Sequence, residues 1–316
     1  MLAYILRRLL LLIPVLLIVG VVVFGLMHLT PGDPAAVMLG REATLEQKEA
    51  LRERLGLNAP IQVQFFNWFG SALRFDFGES LFIGKPVNEA LLERAEPTIL
   101  LALYGLSLSV VAAIPAGVIA AVRANSPLDR LLMVVSISGV AIPSFFFGIV
   151  LILLFAVVLK WLPSGGYVDI RDDPGQHLRY MILPSLALGF SAAGLLARLV
   201  RSTMLDVLNE DYVRTAYAKG LRERHVVLLH AFRNALIPVM TVIGISLAGM
   251  LGGTVVIETV FNIPGMGRLL VQSVTRRDIP VVQGAVMTVA AVQVIVMLLL
   301  DLVYVYIDPR IKYGAE

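Results

Sequence analysis

The stretch DYVRTAYAKGL at residues 211–221, followed by HAFRNALIPV at residues 230–239, is a charged interruption between two long apolar segments. With 58% hydrophobic and 16% charged residues and a mean hydropathy of +0.84, the chain has the composition of a polytopic membrane protein. A soluble domain would carry about 25% charged residues. A chain this apolar has little reason to keep a long charged loop beside a membrane unless a soluble polypeptide docks there, and docking is what the loop predicts.

The remaining apolar runs predict an all-α fold, a polytopic membrane protein with six transmembrane helices. The predicted spans are residues 9–29, 99–122, 131–159, 181–199, 236–257 and 279–307. Arg7 and Arg8 precede the first span, which we interpret as an uncleaved signal anchor. The distribution of lysine and arginine among the loops predicts that both termini are cytoplasmic.

The polar segments predict how the chain is organised. Residues 1–30 are the signal-anchor span, and residues 31–97 are a small extracytoplasmic helical cap. Residues 98–310 are the core, with five spans and a cytoplasmic loop at about 203–236, and residues 311–316 are a cytoplasmic tail. In the cap, Thr44 and Gln47 have capping-box spacing, and Pro60 begins an amphipathic helix.

Two interpretations of the cap stay open. Its aromatic residues could hold it on the membrane surface, or the cap could contact an external partner or gate the pathway. The candidate residues for the second role are Trp68, Phe69, Asp76 and Phe77.

The cytoplasmic loop is predicted as two short helices separated by a glycine. Residues 212–219 form the first helix, Gly220 ends it, and residues 221–235 form the second. Pro238 is predicted to begin the fifth span, at a first-turn position where its missing N–H costs nothing. Such a rigid loop can pass a displacement of its tip to the span, although an interfacial helix lying on the membrane is an open alternative.

Several kinds of chemistry have no motif in this sequence. No GxxxxGK[ST] phosphate loop is present, so the chain is not predicted to hydrolyse ATP. There is no cysteine, and the four histidines lack metal-ligand spacing, so we predict neither a metal site nor a catalytic residue. The formal charge of +3 is spread over loops, which predicts no nucleic-acid partner.

Taken together, these segments resemble a known family. The loop at 211–239 is similar to the cytoplasmic coupling loop of ABC-transporter permeases, and more narrowly to the dipeptide, oligopeptide, nickel and glutathione importer branch. Its general signature begins Glu-Ala-Ala, where this chain has Arg214, Thr215 and Ala216, a variant typical of the branch. Further agreeing pieces, in order, are MLAYILRRLLLLIPVL, TPGDPA, LGLNAPIQVQF, DFGES (76–80), ILPSLALG (182–189) and ETVFNIPGMGRLL (258–270).

The resemblance implies a permease subunit of an ATP-driven, binding-protein-dependent importer in the bacterial cytoplasmic membrane. Its partners would be a second homologous permease, two ATP-binding cassette subunits, an extracytoplasmic solute-binding protein and the lipid bilayer. ATP and Mg²⁺ would be bound by the partner subunits, and no cofactor by this chain. Di- and oligopeptides lead as substrates, with glutathione, a nickel chelate or an opine as alternatives. The residues implied to sit in a groove of the ATPase are Arg214, Thr215, Ala216, Tyr217, Ala218, Lys219, Gly220 and Leu221.

Small residues in the fifth span are the second group of candidates. Gly249 and Gly253, like Ala248 and Gly252, have small-xxx-small spacing, which lets helices approach closely. These residues could serve ordinary helix packing, or they could lie at an interface with a second permease that also borders the pathway. Pro143 and Ser144 predict a kink in the third span. The candidates for the pathway or the permease–permease interface are Pro143, Ser144, Gly249, Gly252, Gly253 and Thr254. Two other classes remain as alternatives: a gradient-driven secondary transporter and a non-transporting membrane scaffold.

Overall fold

The fold was analysed in a computed structural model, which describes residues 2–29, 34–40, 43–54, 56–80 and 82–307. Over this part of the chain the structure is all-α, as predicted, with one isolated β-bridge between Glu79 and Pro86. The predicted cytoplasmic tail, 311–316, lies outside it.

The first seven helices cover the N-terminal half. They are α1 (Leu2–Leu29), α2 (Pro34–Leu39), α3 (Leu45–Arg54), α4 (Ile61–Ala72), α5 (Val87–Val122), α6 (Pro127–Ala141) and α7 (Ser144–Leu151), which continues as a π-helix over Ile152–Val158. The next are α8 (Pro174–Leu208), α9 (Asp211–Ala218) and α10 (Glu223–His225), which is followed by a π-helix over Val226–Ala231. The last are α11 (Phe232–Val260), α12 (Met266–Arg276) and α13 (Ile279–Ile307).

Four described helical stretches are long and apolar enough to cross a membrane: Val87–Val122, Pro174–Leu208, Pro238–Val260 and Ile279–Leu300. A fifth span results if α6 and α7, with its π-helical continuation, are counted as one broken span. Within the part of α1 whose side chains the structure describes, the apolar stretch is Ile13–Gly25. The protein is therefore a multi-pass membrane protein, while the count of six spans stays a prediction.

The third predicted span, 131–159, is not one continuous helix. The chain bends by 109° between α6 and Ser144–Val158. Ile142 is extended (ψ 123°) and Pro143 precedes α7 with ψ 136°. A residue before proline is pushed out of the helical region, and proline has no N–H to continue the ladder. The kink predicted from Pro143 and Ser144 is confirmed, and it is a full break.

The prediction that Pro238 begins the fifth span as its first turn was wrong. Helix α11 begins at Phe232, so Pro238 lies inside it, and the predicted second loop helix is instead the short α10 and the π-helical turn before α11. A spanning helix tolerates an internal proline where neighbouring groups and local adjustments satisfy the freed carbonyl.

One compact unit comprises residues 1–97 and 264–298. Its core contains Val23, Phe77, Leu91, Leu269 and Val281. The rings of Phe24 and Trp68 lie 5.7 Å apart between α1 and α4, and a Cβ on Gly20 would come within 2.8 Å of the Phe69 ring. The predicted capping box is confirmed, since the Gln47 N–H donates to Thr44 Oγ1 (3.2 Å) and the Thr44 N–H to Gln47 Oε1 (2.9 Å).

The second unit comprises residues 98–263 and the end of the chain from 299. Its centre is α8, which packs against α6, α7 and α11. Two glycines of α8 allow the close approach: a Cβ on Gly194 would lie 2.2 Å from the Ser136 carbonyl oxygen, and one on Gly189 would lie 2.5 Å from that of Gly105. The predicted domain bounds remain a prediction.

Candidate coupling site

Helix α9 is amphipathic over only eight residues. Val213 and Ala216 are buried, and they pack with Val226 and with Val207 and Leu208 at the end of α8. The other seven residues predicted to couple are exposed: Arg214, Thr215, Tyr217, Ala218, Lys219, Gly220 and Leu221. The helix is therefore packed against the protein along one side and is exposed along the opposite side.

Gly220 ends α9 as predicted, in a left-handed conformation with φ +77°. Its N–H donates to the Tyr217 carbonyl (2.9 Å), and the Leu221 N–H donates to the Ala216 carbonyl (3.4 Å). This pair of hydrogen bonds is a Schellman motif, which satisfies carbonyls that a helix end leaves unpaired. A Cβ at Gly220 would meet nothing within 4 Å, so the demand for glycine comes from the backbone and not from crowding.

A second attachment joins α9 to the start of α11. The Asn234 amide donates to the Tyr212 hydroxyl oxygen (2.8 Å) and to the His230 carbonyl (3.1 Å). Together with the packing on Val207 and Leu208, it connects α9 to both long helices that flank the loop. Helix α9 is therefore attached to α8 by packed side chains and to α11 by a hydrogen bond, so a displacement of α9 would be passed to both helices.

The charges on the exposed side of α9 are only weakly bound within the chain. Arg214 lies 3.8 Å from Asp211, and both side chains are well exposed, so the pair adds little stability. Partial burial, with the Glu223 carboxylate nearby, raises the pKa of the Tyr217 hydroxyl, which keeps it protonated as a hydrogen-bond donor at neutral pH.

An ion pair that we did not predict secures α8 above this loop. Arg201 donates to both carboxylate oxygens of Asp129, at 2.6 and 2.8 Å, and Asp129 is buried. The Asn125 N–H adds a third bond to the carboxylate. The sequence did contain one signal, because Ser126 and Asp129 have capping spacing, and the Ser126 hydroxyl accepts from the Asp129 N–H. The partner Arg201, 72 residues away, could not be found from spacing.

The predicted pathway residues lie in two places in this unit. Pro143 and Ser144 form the break before α7. Gly249, Gly252 and Gly253 are exposed on α11, and a Cβ on either Gly249 or Gly252 would meet nothing within 4 Å. Thr254 is buried, and its hydroxyl donates to the Leu251 carbonyl. A Cβ on Gly253 would lie 3.7 Å from the Leu188 side chain, and the role of this face stays a prediction.

The residues predicted to contact a binding protein are mostly packed inward. Phe77 is buried, and Trp68 and Phe69 pack against the core of their unit. Asp76 is exposed, and its carboxylate accepts from the Gly78 N–H (3.1 Å). Of these four residues, Asp76 is exposed, Trp68 and Phe69 are partly exposed and Phe77 is buried, and their contact with a binding protein stays a prediction.

Two buried carboxylates were also missed from sequence. Asp278, at the start of α13, accepts from the Ser80 hydroxyl (2.5 Å), and burial raises the pKa of its carboxyl group. Glu258, near the end of α11, accepts from the Thr98 hydroxyl (2.6 Å) and is fully buried. Each pair joins residues that are far apart in the chain, so no local pattern reveals it. Among the residues that the structure describes, no group of three or more His, Asp or Glu side chains could hold a metal ion.

The fold is that of a multi-pass, all-α membrane protein, and helix α9 is exposed along one side and ended by Gly220. Two family models match the chain: binding-protein-dependent transport system inner membrane component over residues 113–313, and the N-terminal region of such membrane components over residues 1–100. The chain belongs to this family of binding-protein-dependent transport system inner membrane components.

The relatives span the whole chain. A probable peptide ABC transporter permease protein of Sinorhizobium fredii is 45% identical over 310 residues, covering 98% of this chain and 99% of the relative. A putative peptide transport system permease protein of Brucella abortus is 44% identical, covering 99% of this chain and 100% of the relative. The glutathione transport system permease protein of Escherichia coli is also 44% identical, with the same coverage.

Solved structures share the fold at low sequence identity. A chain of the inward-facing methionine ABC transporter MetNI aligns with a TM-score of 0.55 at 18% identity, covering 69% of this chain and 96% of that one. A chain of an amino acid ABC transporter aligns with a TM-score of 0.50 at 13% identity, covering 71% and 94%.

Proposed function

We propose that this chain is the permease subunit of an ATP-driven importer of short peptides. The observation that carries the proposal is α9 and the three residues after it: seven of the eight predicted coupling residues are exposed, while the buried side of α9 is packed onto the end of α8. A channel or scaffold that works without an ATPase would not need α9 to be attached so firmly to α8. The peptide permeases of Sinorhizobium and Brucella, 45% and 44% identical along their length, support the substrate class.

The proposed complex contains a second homologous permease, two ATP-binding cassette subunits and an extracytoplasmic solute-binding protein. α9 faces the cytoplasm, as do both termini, and Arg214 to Leu221 sit in a groove of the ATPase. This chain is not an enzyme, because ATP and Mg²⁺ are held by the partner subunits. When the ATPases close on nucleotide, they draw the two α9 helices together, and α8 and α11 follow.

Affinity purification from native membranes in mild detergent, with mass identification of the accompanying proteins, tests this assembly. We expect a second permease and ATPases that carry phosphate loops. A stable homo-oligomer without ATPases would overturn the proposal and favour a gradient-driven transporter, which vesicle flux measurements would then detect. A variant with Arg214 and Lys219 both changed to Glu is expected to lose the ATPases and keep the second permease.

Glutathione is the second candidate substrate, because the glutathione permease of Escherichia coli is as similar as the Brucella peptide permeases. Uptake of a labelled dipeptide into cells, in competition with unlabelled glutathione and with unlabelled dipeptides, separates the two. We expect dipeptides to compete better. The reverse order would assign the importer to glutathione while leaving the coupling proposal intact.

A further inference from the structure

A groove beside the coupling helix has no role in the mechanism described so far. It has a volume of about 590 Å³ and lies between the end of α5, the start of α6 and the segment that follows α9. The residues that line it are Val118, Ile119, Val122, Arg123, Leu128, Glu223, Arg224, Val227 and Leu228.

The groove lies at the end of the spans on the same side as α9. Arg123 is in the short turn between α5 and α6, immediately after the apolar stretch that ends at Val122. Asp129 of α6 is bonded to Arg201, which is near the end of α8 that leads into α9. The turn and the coupling helix therefore share one face of the membrane, and Arg123 lies where hydrocarbon gives way to headgroups.

The walls of the groove are apolar and open to the surroundings. The side chain of Ile119 is 43% exposed and that of Leu228 is 56% exposed, although both belong to helical segments at the edge of the bilayer. In a membrane protein such side chains meet lipid or another subunit. Because they are continuous with the apolar surface of α5, an acyl chain can run from the groove along the span.

The rim of the groove carries two arginines. Arg123 and Arg224 are exposed, and neither forms an ion pair with another described residue. Glu223 is the one acidic group among the lining residues. Guanidinium groups bind phosphate oxygens through paired hydrogen bonds, and basic pockets at the ends of spans bind anionic headgroups.

From these observations we propose that the groove binds one anionic phospholipid, with its phosphate between Arg123 and Arg224 and its acyl chains along Ile119 and Leu228. The placement at the cytoplasmic leaflet rests on the proposed orientation of α9, whereas the site itself does not. An ATPase surface is the competing occupant. Chemistry decides against it, since the phosphate of a phospholipid complements the two arginines and its acyl chains complement the apolar walls, whereas α9 already presents a polar surface for the ATPase.

Native mass spectrometry of the full chain tests the proposal, with phosphatidylglycerol and phosphatidylcholine of identical acyl chains added in parallel. We expect the wild-type chain to prefer phosphatidylglycerol, and the Arg123→Gln/Arg224→Gln variant to lose roughly tenfold of that preference. Arg222→Gln is the matched control, because Arg222 is exposed on the same segment but does not line the groove. The pair Arg123→Lys/Arg224→Lys keeps the charge and is expected to retain most of the binding.

Equal retention of both lipids by the wild-type chain would overturn the proposal, as would a loss in Arg222→Gln equal to that of the glutamine pair. Displacement of the lipid by excess inorganic phosphate would assign the site to free phosphate. If the glutamine pair keeps its lipid preference but no longer retains ATPases, the groove is a protein contact. Should the glutamine pair fail to fold, the two single variants carry the comparison. Absence of ATPases from the wild-type purification would count against the importer and leave the lipid result standing.

Discussion

Gly220 is the residue on which the coupling helix depends most directly. Its φ of +77° lies in the left-handed region, and the N–H groups at Gly220 and Leu221 close the end of α9. A β-branched side chain there is strained even though the space around it is open.

We expect Gly220→Val to uncouple transport from ATP hydrolysis. The strain of about 1–3 kcal/mol loosens the end of α9, so uptake should fall roughly 5- to 150-fold while the assembled complex still hydrolyses ATP. The measurement pairs uptake in cells with ATPase activity of the purified complex. Gly56→Val is the matched control, because Gly56 has φ +64° and open space but lies far from α9 in the chain. Unchanged uptake in Gly220→Val would contradict the coupling role.

Asp278 gives a prediction about pH. Burial raises the pKa of its carboxyl group above the ordinary value of 3.8, so the folded chain holds this proton more tightly than the unfolded chain. Stability contributed by this group is therefore complete below the ordinary value and falls as pH rises through the raised one. Asp278→Asn mimics the neutral form and should raise the melting temperature at neutral pH, with the gain vanishing in acid.

Thermal unfolding of the purified chain at about pH 4 and about pH 7 checks this expectation. The exposed Asp76 supplies the comparison, since Asp76→Asn should show no such gain at neutral pH. A lower melting temperature for Asp278→Asn at neutral pH would mean that the charged form, bonded to Ser80, is the stable one.

At the scale of single residues, the sequence predicted the hydrogen-bonded motifs that form between near neighbours in the chain. The capping box of Thr44 and Gln47 and the glycine end of α9 were both readable, because their partners lie within a few residues. The pairs Asp129–Arg201 and Ser80–Asp278 were not, because tertiary packing brings together residues that have no sequence relation.

Among the helices, α6 and α8 are joined by two hydrogen bonds from Arg201 to the buried carboxylate of Asp129. Arg201→Ala leaves the buried Asp129 carboxylate without its partner. Such a loss lowers the free energy of unfolding by about 3 kcal/mol for a fully buried pair. The decrease should be smaller here, since Arg201 is partly exposed. We expect a lower melting temperature and reduced uptake. Arg198→Ala, on the same helix and exposed, should have little effect.

The neutral double variant Asp129→Asn/Arg201→Gln separates charge from shape. It should recover part of the stability lost in Arg201→Ala, because no unpaired charge remains. If the double variant is no more stable than the single one, the arginine acts through packing of its stem and not through the ion pair.

Helices could mostly be predicted where the length of an apolar run determines the extent of the helix. The helices around 99–122, 181–199 and 279–307 all appear, each at least as long as predicted. The two prolines had different outcomes, because the first-turn position of Pro238 was wrong and the kink at Pro143 was confirmed. Pro238 lies inside α11, because membrane helices absorb a missing N–H, whereas Pro143 divides a span because the residue before it is extended. Helix α12 was missed, because its polar face hid a helix among loop residues.

For the molecule as a whole, close contact at α8 decides whether the second unit assembles. A Cβ at Gly194 would lie 2.2 Å from the backbone oxygen of Ser136, an atom that cannot move aside cheaply. We expect Gly194→Ala to separate α8 from α6 and to lower the melting temperature and the amount of protein in the membrane. Gly249→Ala is the control, since its Cβ would meet nothing within 4 Å.

The same open space at Gly249 tests the pathway assignment. Gly249→Leu should leave the stability of the isolated chain near the wild-type value and reduce uptake, because the added side chain projects from the exposed face of α11. Loss of the second permease on purification would instead assign this face to the interface. Normal uptake with a normal complex would exclude both roles.

The class of fold followed from composition and span length, and the family resemblance extended it to an importer. The arrangement around α8 could not be predicted, because small residues indicate that another helix approaches closely but do not identify that helix. The close approach of Gly194 to Ser136 and of Gly189 to Gly105 is a feature of the folded chain that the sequence does not indicate.

The length of α8 has a mechanical consequence. Its 35 residues make a rod of about 52 Å, whereas the hydrocarbon core of a bilayer is about 30 Å thick, so part of the rod stands clear of the lipid. If it pivots near its middle, a tilt of about 10° moves its tip by roughly 4–5 Å, about one helical turn. The helix then acts as a lever arm, and a small displacement of the end that leads into α9 is returned as an opposite swing at its far end.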